Sequence, residues 1–181
     1  MAFWSDLNVE PKRSFRWYFT IGKSDENALQ TYAIKTVKKP SFTISEVPHQ
    51  FVAHTFYFPG RITWNTVDVT FIDPVIPDQA SAITNMVVAA GYNVPKDESA
   101  SLKSFSKAKF ANAGTQASIT QIDAEGDPIE IWTLNNSFFT NVDYGQLDYG
   151  SEEMVINSVT IRYDYATLEV MSGNPISKLT P

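Results

Sequence analysis

The chain has 181 residues, no cysteine, a formal net charge of −6 and an aromatic complement of 12 Phe, 8 Tyr and 4 Trp. A single domain of this length buries about 70% of its unfolded surface, and the missing thiols exclude a disulfide framework, a cysteine nucleophile and a cysteine zinc site. No apolar run approaches the roughly 18 residues of a membrane span, and Met1 to Ser14 lacks an apolar signal core, so neither a span nor a leader is expected.

The charge is unevenly placed. Residues 1–114 carry 12 Lys/Arg against 10 Asp/Glu, a net +2, whereas residues 115–181 carry 2 against 10, a net −8. Such asymmetry serves solubility, or head-to-tail association of identical subunits with acid turned toward a polyanion that must not be held.

In chain order, Phe15, Trp17, Phe19 and Ile21 alternate with Arg16, Tyr18 and Thr20, the pattern of a half-buried strand. Gly22 to Asn27 reads as a turn. Thr31 to Lys38 reads as a second strand that would close a hairpin with the first. From Lys39 to Gly60 the signal changes: Pro40, Pro48 and Pro59 punctuate a stretch that keeps Phe42, Ile44, Val47, Phe51, Val52, Phe56, Tyr57 and Phe58. An apolar loop of this length needs a surface to pack on, either its own sheet or a neighbouring subunit.

Ile62 to Ile72 reads as another strand, with Val67, Val69 and Phe71 on one face and Asp73-Pro74 at its end. Asp78 then caps a helix in which Ile83, Met86, Val87 and Ala90 follow at i, i+3, i+4 and i+7, and Gly91 stops it. This is the one helix the periodicity predicts. Residues 92–115 are polar and irregular. Lys103, Lys107 and Lys109 stand among Phe105 and Phe110 there, too sparse a pattern to choose nucleic-acid binding over a solvated loop or intersubunit contact. Asp123 to Asp127 is a turn between strands centred on Ile119 and Ile131. Val159, Ile161, Tyr163 and Tyr165 then alternate with Ser158, Thr160, Arg162 and Asp164, and periodicity is lost after Ala166. The fold class is mainly β: a sandwich or barrel of about seven or eight antiparallel strands, one flanking α-helix and a long apolar arm.

Catalytic chemistry finds poor material. His49 and His54, the two histidines, lie in the apolar arm without acidic partners at metal-ligand spacing. No nucleophile elbow, Walker loop or dinucleotide glycine pattern occurs. The acids at 123–130 and 152–153 fall on turns, where solvation is the expected role ahead of glycoside hydrolysis or calcium binding. Neither catalytic residues nor a cofactor nor a metal is expected.

Three phrases, Trp132-Thr133-Leu134-Asn135, Val142-Asp143-Tyr144-Gly145-Gln146-Leu147-Asp148-Tyr149 and Val159-Thr160-Ile161-Arg162-Tyr163-Asp164, resemble the C-terminal half of tail tube proteins from contractile-tailed bacteriophages. Glu10 to Trp17 resembles that family's basic lead-in to its first strand. Phe58 to Trp64, followed by Val67 to Pro74, resembles its central segment. Order and spacing over residues 10–166 carry the likeness, since each phrase alone is a general strand signature.

The resemblance implies a single tail-tube domain over residues 1–181, with an N-terminal segment (1–14), an inter-ring arm (40–60) and a C-terminal tail (167–181). It implies a structural, non-enzymatic virion protein, made in the host bacterial cytoplasm, whose hexameric rings stack into the inner tail tube. Implied partners are further copies of itself, the tail sheath, baseplate and tail-terminator proteins, and tape-measure protein in the lumen; DNA passes without specific binding. On this reading Phe42, Ile44, Val47, Phe51, Val52, Phe56 and Phe58 contact the next ring. A subset of Asp123, Glu125, Asp127, Glu130, Asp143, Asp148, Glu152 and Glu153 faces the lumen, where basic groups would bind phosphate. Two alternatives remain open: a tube subunit of a type VI secretion system or phage-like contractile injection particle, and a monomeric β-sandwich binding module using Trp64, Trp132 and Tyr149.

Overall fold

The computed structural model describes residues 11–22, 31–93, 95, 96, 98, 102, 104–113 and 115–171. Two four-stranded antiparallel sheets face each other. The first has the order β1-β6-β7-β10: β1 (Trp17–Ile21), β6 (Ala117–Ile122), β7 (Pro128–Asn135) and β10 (Tyr165–Val170). The second has the order β2-β5-β9-β8: β2 (Ile34–Val37), β5 (Val67–Ile72), β9 (Ile156–Arg162) and β8 (Phe138–Asp143). A separate two-stranded ribbon joins β3 (Phe42–Phe51) to β4 (His54–Trp64).

Alternation decides the inner faces. Phe19 and Ile21, Ala117 and Ile119, and Leu134 point inward from the first sheet; Val67, Val69 and Phe71, with Val159 and Ile161, meet them from the second. Ile83 and Met86 of helix α1 (Gln79–Ala89) join the same core. As the sequence predicts, Asp78 caps this helix, accepting from the Ser81 N–H at 3.0 Å, and Gly91 follows it in the left-handed region with φ 111°.

The sheets are joined at a corner. Strand β7 leaves the first sheet at Asn135, and after Asn136 (φ 55°) and Ser137 the chain enters the second as β8. Strand β9 returns through Tyr163 and Asp164 into β10, so one long bent hairpin belongs to both layers. Hydroxyls lock this corner: Thr115 Oγ1 donates to the Ser137 carbonyl at 2.6 Å, and Ser137 Oγ donates back to the Thr115 carbonyl. Both residues are buried.

Four details depart from the sequence expectations. Strands β1 and β2 do not form a hairpin; β1 pairs with β6 and β2 with β5. The expected strand from Ile62 to Ile72 is broken at Asn65, whose N–H donates to the Ser41 carbonyl at 2.8 Å. A second helix, α2 (Lys107–Asn112), stands where irregular chain was expected, capped by Ser106 accepting from the Lys109 N–H. Residues 167–170 extend β10 against β7 rather than opening a tail. The expected turn at 23–27, Lys103, most of the N-terminal segment and residues 172–181 lie outside the described residues.

Ser137→Ala would leave a buried carbonyl without its donor, and we expect it to lower the unfolding free energy in urea by about 1–3 kcal/mol. A loss indistinguishable from zero would show that the corner bond is dispensable.

Candidate assembly surface

The arm expected at 40–60 is a regular ribbon rather than a loop. A break in the alternation explains its shape. In β4 Ile62 and Trp64 share one face, and His54, Phe56 and Phe58 share one. In β3 the apolar spacing jumps from Ile44 to Val47, which turns the strand's outer half over. A bulge adds one residue to β4, where Gly60 and Arg61 oppose Ser45, so β4 turns over at the same point. Register then pairs Phe42 with Trp64, Ile44 with Ile62, Val47 with Phe58, His49 with Phe56 and Phe51 with His54. The apolar side chains therefore share one face at the root (Phe42, Ile44, Ile62 and Trp64) and the opposite face toward the tip (Val47, Phe51, Phe56 and Phe58, with His49 and His54). Behind the tip set lie Glu46, Pro48, Gln50, Thr55, Tyr57 and Pro59.

Gly60 permits the bulge, since a Cβ there would lie 2.3 Å from Ser45 Oγ and 2.9 Å from the Ser45 carbonyl oxygen. Ser45 Oγ also accepts the Arg61 N–H at 2.9 Å. At the tip Val52 adopts φ 53°, a conformation that disfavours β-branched residues.

Of the seven residues expected at an inter-ring contact, Phe42 and Ile44 share one face at the root, Val47, Phe51, Phe56 and Phe58 share the other toward the tip, and Val52 caps the ribbon. All seven are exposed, Val52 to 92%. Among the described residues the root is the part that touches the core: the Trp64 ring lies 5.1 Å from Phe42 and 5.9 Å from buried Tyr163.

The eight acidic candidates separate into three places. Asp123, Glu125 and Asp127 occupy the exposed β6–β7 turn, where Asp123 Oδ1 accepts the Glu125 and Asp127 N–H groups at 3.0 and 2.8 Å. Asp143, Asp148, Glu152 and Glu153 lie exposed at the end of β8 and in the loop before β9. Glu130 departs from expectation: its residue is 6% exposed. Alternation turns it inward with Trp132 and Leu134. Its carboxylate accepts from Lys12, from Lys39 at 2.7 Å and from the Trp132 indole. Burial pushes its pKa up, but the bonds from Lys12, Lys39 and Trp132 and the Lys39 charge outweigh this, lowering it from 4.5 to about 2. Lys39 also reaches Gln121 at 2.7 Å, so the segment entering the arm is tied to the first sheet.

Lys107, at the start of α2, pairs with Asp164 at the corner, and Asn136 donates to the same carboxylate oxygen at 2.8 Å. The Lys107 bond, then the Asn136 bond, lowers the Asp164 pKa. This anchoring role was not legible in the polar run at 92–115. Among the described residues no group of three or more His, Cys, Asp or Glu could hold a metal ion, and no helix is long and apolar enough to cross a membrane.

The family model of the T4-like virus tail tube protein gp19 matches residues 13–167. The chain belongs to that family. No curated protein sequence matches it. Among solved structures, a chain of the anti-feeding prophage baseplate superposes with a TM-score of 0.63 at 13% identity, covering 88% of this chain and 96% of its own. A chain of the anti-feeding prophage tube-terminating cap gives 0.63 at 15% identity, covering 91% and 95%. One from the sheath–tube complex of PVC, an extracellular contractile injection system in its extended state, gives 0.63 at 12%, also covering 91% and 95%. At these identities the likeness is one of fold. Family membership makes this a tail tube protein, and its family is one of structural proteins.

Glu130 sets an acid-stability test. Its depressed pKa contributes stability that is complete above about 4.5 and is lost as pH falls toward about 2. We expect Glu130→Gln to cost about 2 kcal/mol at neutral pH, allowing for screening at the half-exposed lysines. In thermal melts the gap from wild type should close across that window. A constant gap from pH 6 to pH 2 would reject this role.

Proposed function

We propose that the chain is a subunit of the inner tube of a contractile tail, forming hexameric rings that stack and conduct DNA into the host as the sheath contracts. One observation carries the reading beyond family membership: a two-stranded ribbon holds its apolar side chains in solvent. A two-stranded ribbon is marginal in water and needs a covering surface, and in a stacked tube the next ring supplies one. Strand edges support the ring itself. Among the described residues, strands β1 and β10 bound the first sheet, and β2 and β8 bound the second. Joining edges between subunits would make a continuous lining and remove an aggregation hazard.

Sheath, baseplate, tail-terminator and tape-measure proteins are the partners this role requires, and the virion tail its location. The superposed chains come from baseplate, cap and sheath–tube complexes, which favours a tube in a phage-like injection particle as the second reading. Its cargo would be protein rather than DNA.

The channel must let a polyanion slide. Basic groups would neutralise phosphates and retain DNA through counterion release, whereas acids leave it mobile. The exposed acids of the β6–β7 turn and the β8–β9 loop supply the candidates for that lining; buried, lysine-paired Glu130 does not.

Negative-stain electron microscopy of the purified chain over rising concentration should show rings or hollow tubes. A monodisperse 20.3 kDa species throughout would overturn autonomous tube assembly. In phage particles, replacing Asp123, Glu125 and Asp127 together with lysine should leave tubes intact and slow DNA ejection. Unchanged ejection would refute the acidic-lining role of this turn.

A further inference from the structure

The chain contains two histidines, and both lie in the arm. Register gathers them on one surface. His49 pairs with Phe56 and His54 with Phe51, so both imidazoles stand with Val47, Phe51, Phe56 and Phe58 toward the tip. The His49 ring meets the Phe58 ring edge-on, with 6.5 Å between centroids. Both histidines are exposed. The root set, from which the ribbon runs into β5 through Asn65 and Thr66, carries neither.

Charge surrounds this surface without entering it. The other titratable groups of β3 and β4 are Glu46, Tyr57 and Arg61. Glu46 pairs with Pro59 and Tyr57 with Pro48, both behind the tip set, and Arg61 sits at the bulge, its N–H donating to Ser45 Oγ. Within the ribbon, no carboxylate shares the face of His49 and His54 to balance a positive charge there.

An imidazole has two characters. Neutral, it presents an apolar body that can be laid into an apolar contact. Protonated, it is a cation, and covering it without a counter-charge is costly. The change falls between pH 5 and 8, where ordinary side chains of other kinds keep their charge.

We infer that the arm's tip is a proton-sensitive joint, which docks with His49 and His54 neutral and lets go when mild acid protonates them. This rests on the tube reading, in which a neighbouring copy covers the tip, and adds the condition under which the tube comes apart. Linkage gives its direction and size. Docking that requires two neutral imidazoles is at full strength above the imidazole range, near pH 6.5 in water. Below that range it weakens by about a hundredfold for each pH unit, or about tenfold where one of the two is covered.

The test is the critical concentration for assembly, read as the full-length chain left in solution after tubes are sedimented, with electron microscopy of the pellet. Between pH 7.5 and pH 5.5, at constant ionic strength, we expect it to rise about tenfold to a hundredfold. His49→Gln with His54→Gln, neutral throughout, should flatten the response. Each single glutamine variant should show a shallower slope against pH than wild type. His49→Lys with His54→Lys should raise the critical concentration at pH 7.5 as acid does in wild type.

Wild-type tubes with the same critical concentration at both pH values would overturn the joint and leave the tube reading standing. So would a double glutamine variant that keeps the wild-type response. Tubes that strengthen in acid would also overturn it, since the covering surface would then supply a carboxylate to the imidazoles. No tubes at any pH or concentration would overturn both.

Discussion

A two-stranded ribbon has no interior, so its apolar side chains gain burial only from what it is laid against. That constraint governs the β3–β4 arm. Its two strands pair with each other, and the bulge at Gly60 and Arg61 keeps the apolar residues of β3 and β4 paired across the change of face. Among the described residues it is the root that is secured within the subunit, through Trp64 against Tyr163 and Lys39 against Glu130. The sandwich behind it is complete without the arm. The subunit is thus a finished core carrying an unfinished surface, the division of labour expected of a protein whose function is to assemble.

Acidic groups meet opposite physical demands in the two parts. Within the sandwich a carboxylate is tolerated because two ammonium groups and an indole N–H meet it, and Glu130 has all three. On the β6–β7 turn, Asp123 uses one oxygen to brace its own backbone while its neighbours Glu125 and Asp127 remain in solvent. Sequence proximity conceals this difference. Glu130 lies three residues beyond Asp127, yet alternation in β7 carries it to the inner face.

Legibility in the sequence followed the range of the interaction. Faces are local properties: the alternation at Val159, Ile161 and Tyr163 and the spacing of Ile83 and Met86 foretold which side chains are buried. Tyr165 broke the pattern because the chain turns at Asp164 into the other sheet. Pairing partners are not local. Nothing within β1 distinguishes a hairpin with β2 from its actual match with β6, and the Lys12 and Lys39 partners of Glu130 stand 118 and 91 residues away. Helix α2 was obscured by its length, with one buried apolar residue, Phe110; Ser106 as its cap was the available signal. The arm's composition was plain, but its ribbon form depended on reading the step from Ile44 to Val47 as a change of face rather than as loss of strand.

The continuity of the arm with β5 also bears on mechanics. Strand β5 is held on both sides, by β2 and by β9, and antiparallel ladder bonds lie perpendicular to the strands. Tension entering along the arm would pull β5 lengthwise and strain both rows in shear, so their bonds share the load instead of parting one after another. A tube linked through such arms would transmit axial force from subunit to subunit through its most fully paired strands, and stiffness in the direction of travel would follow from the order of strands in one sheet.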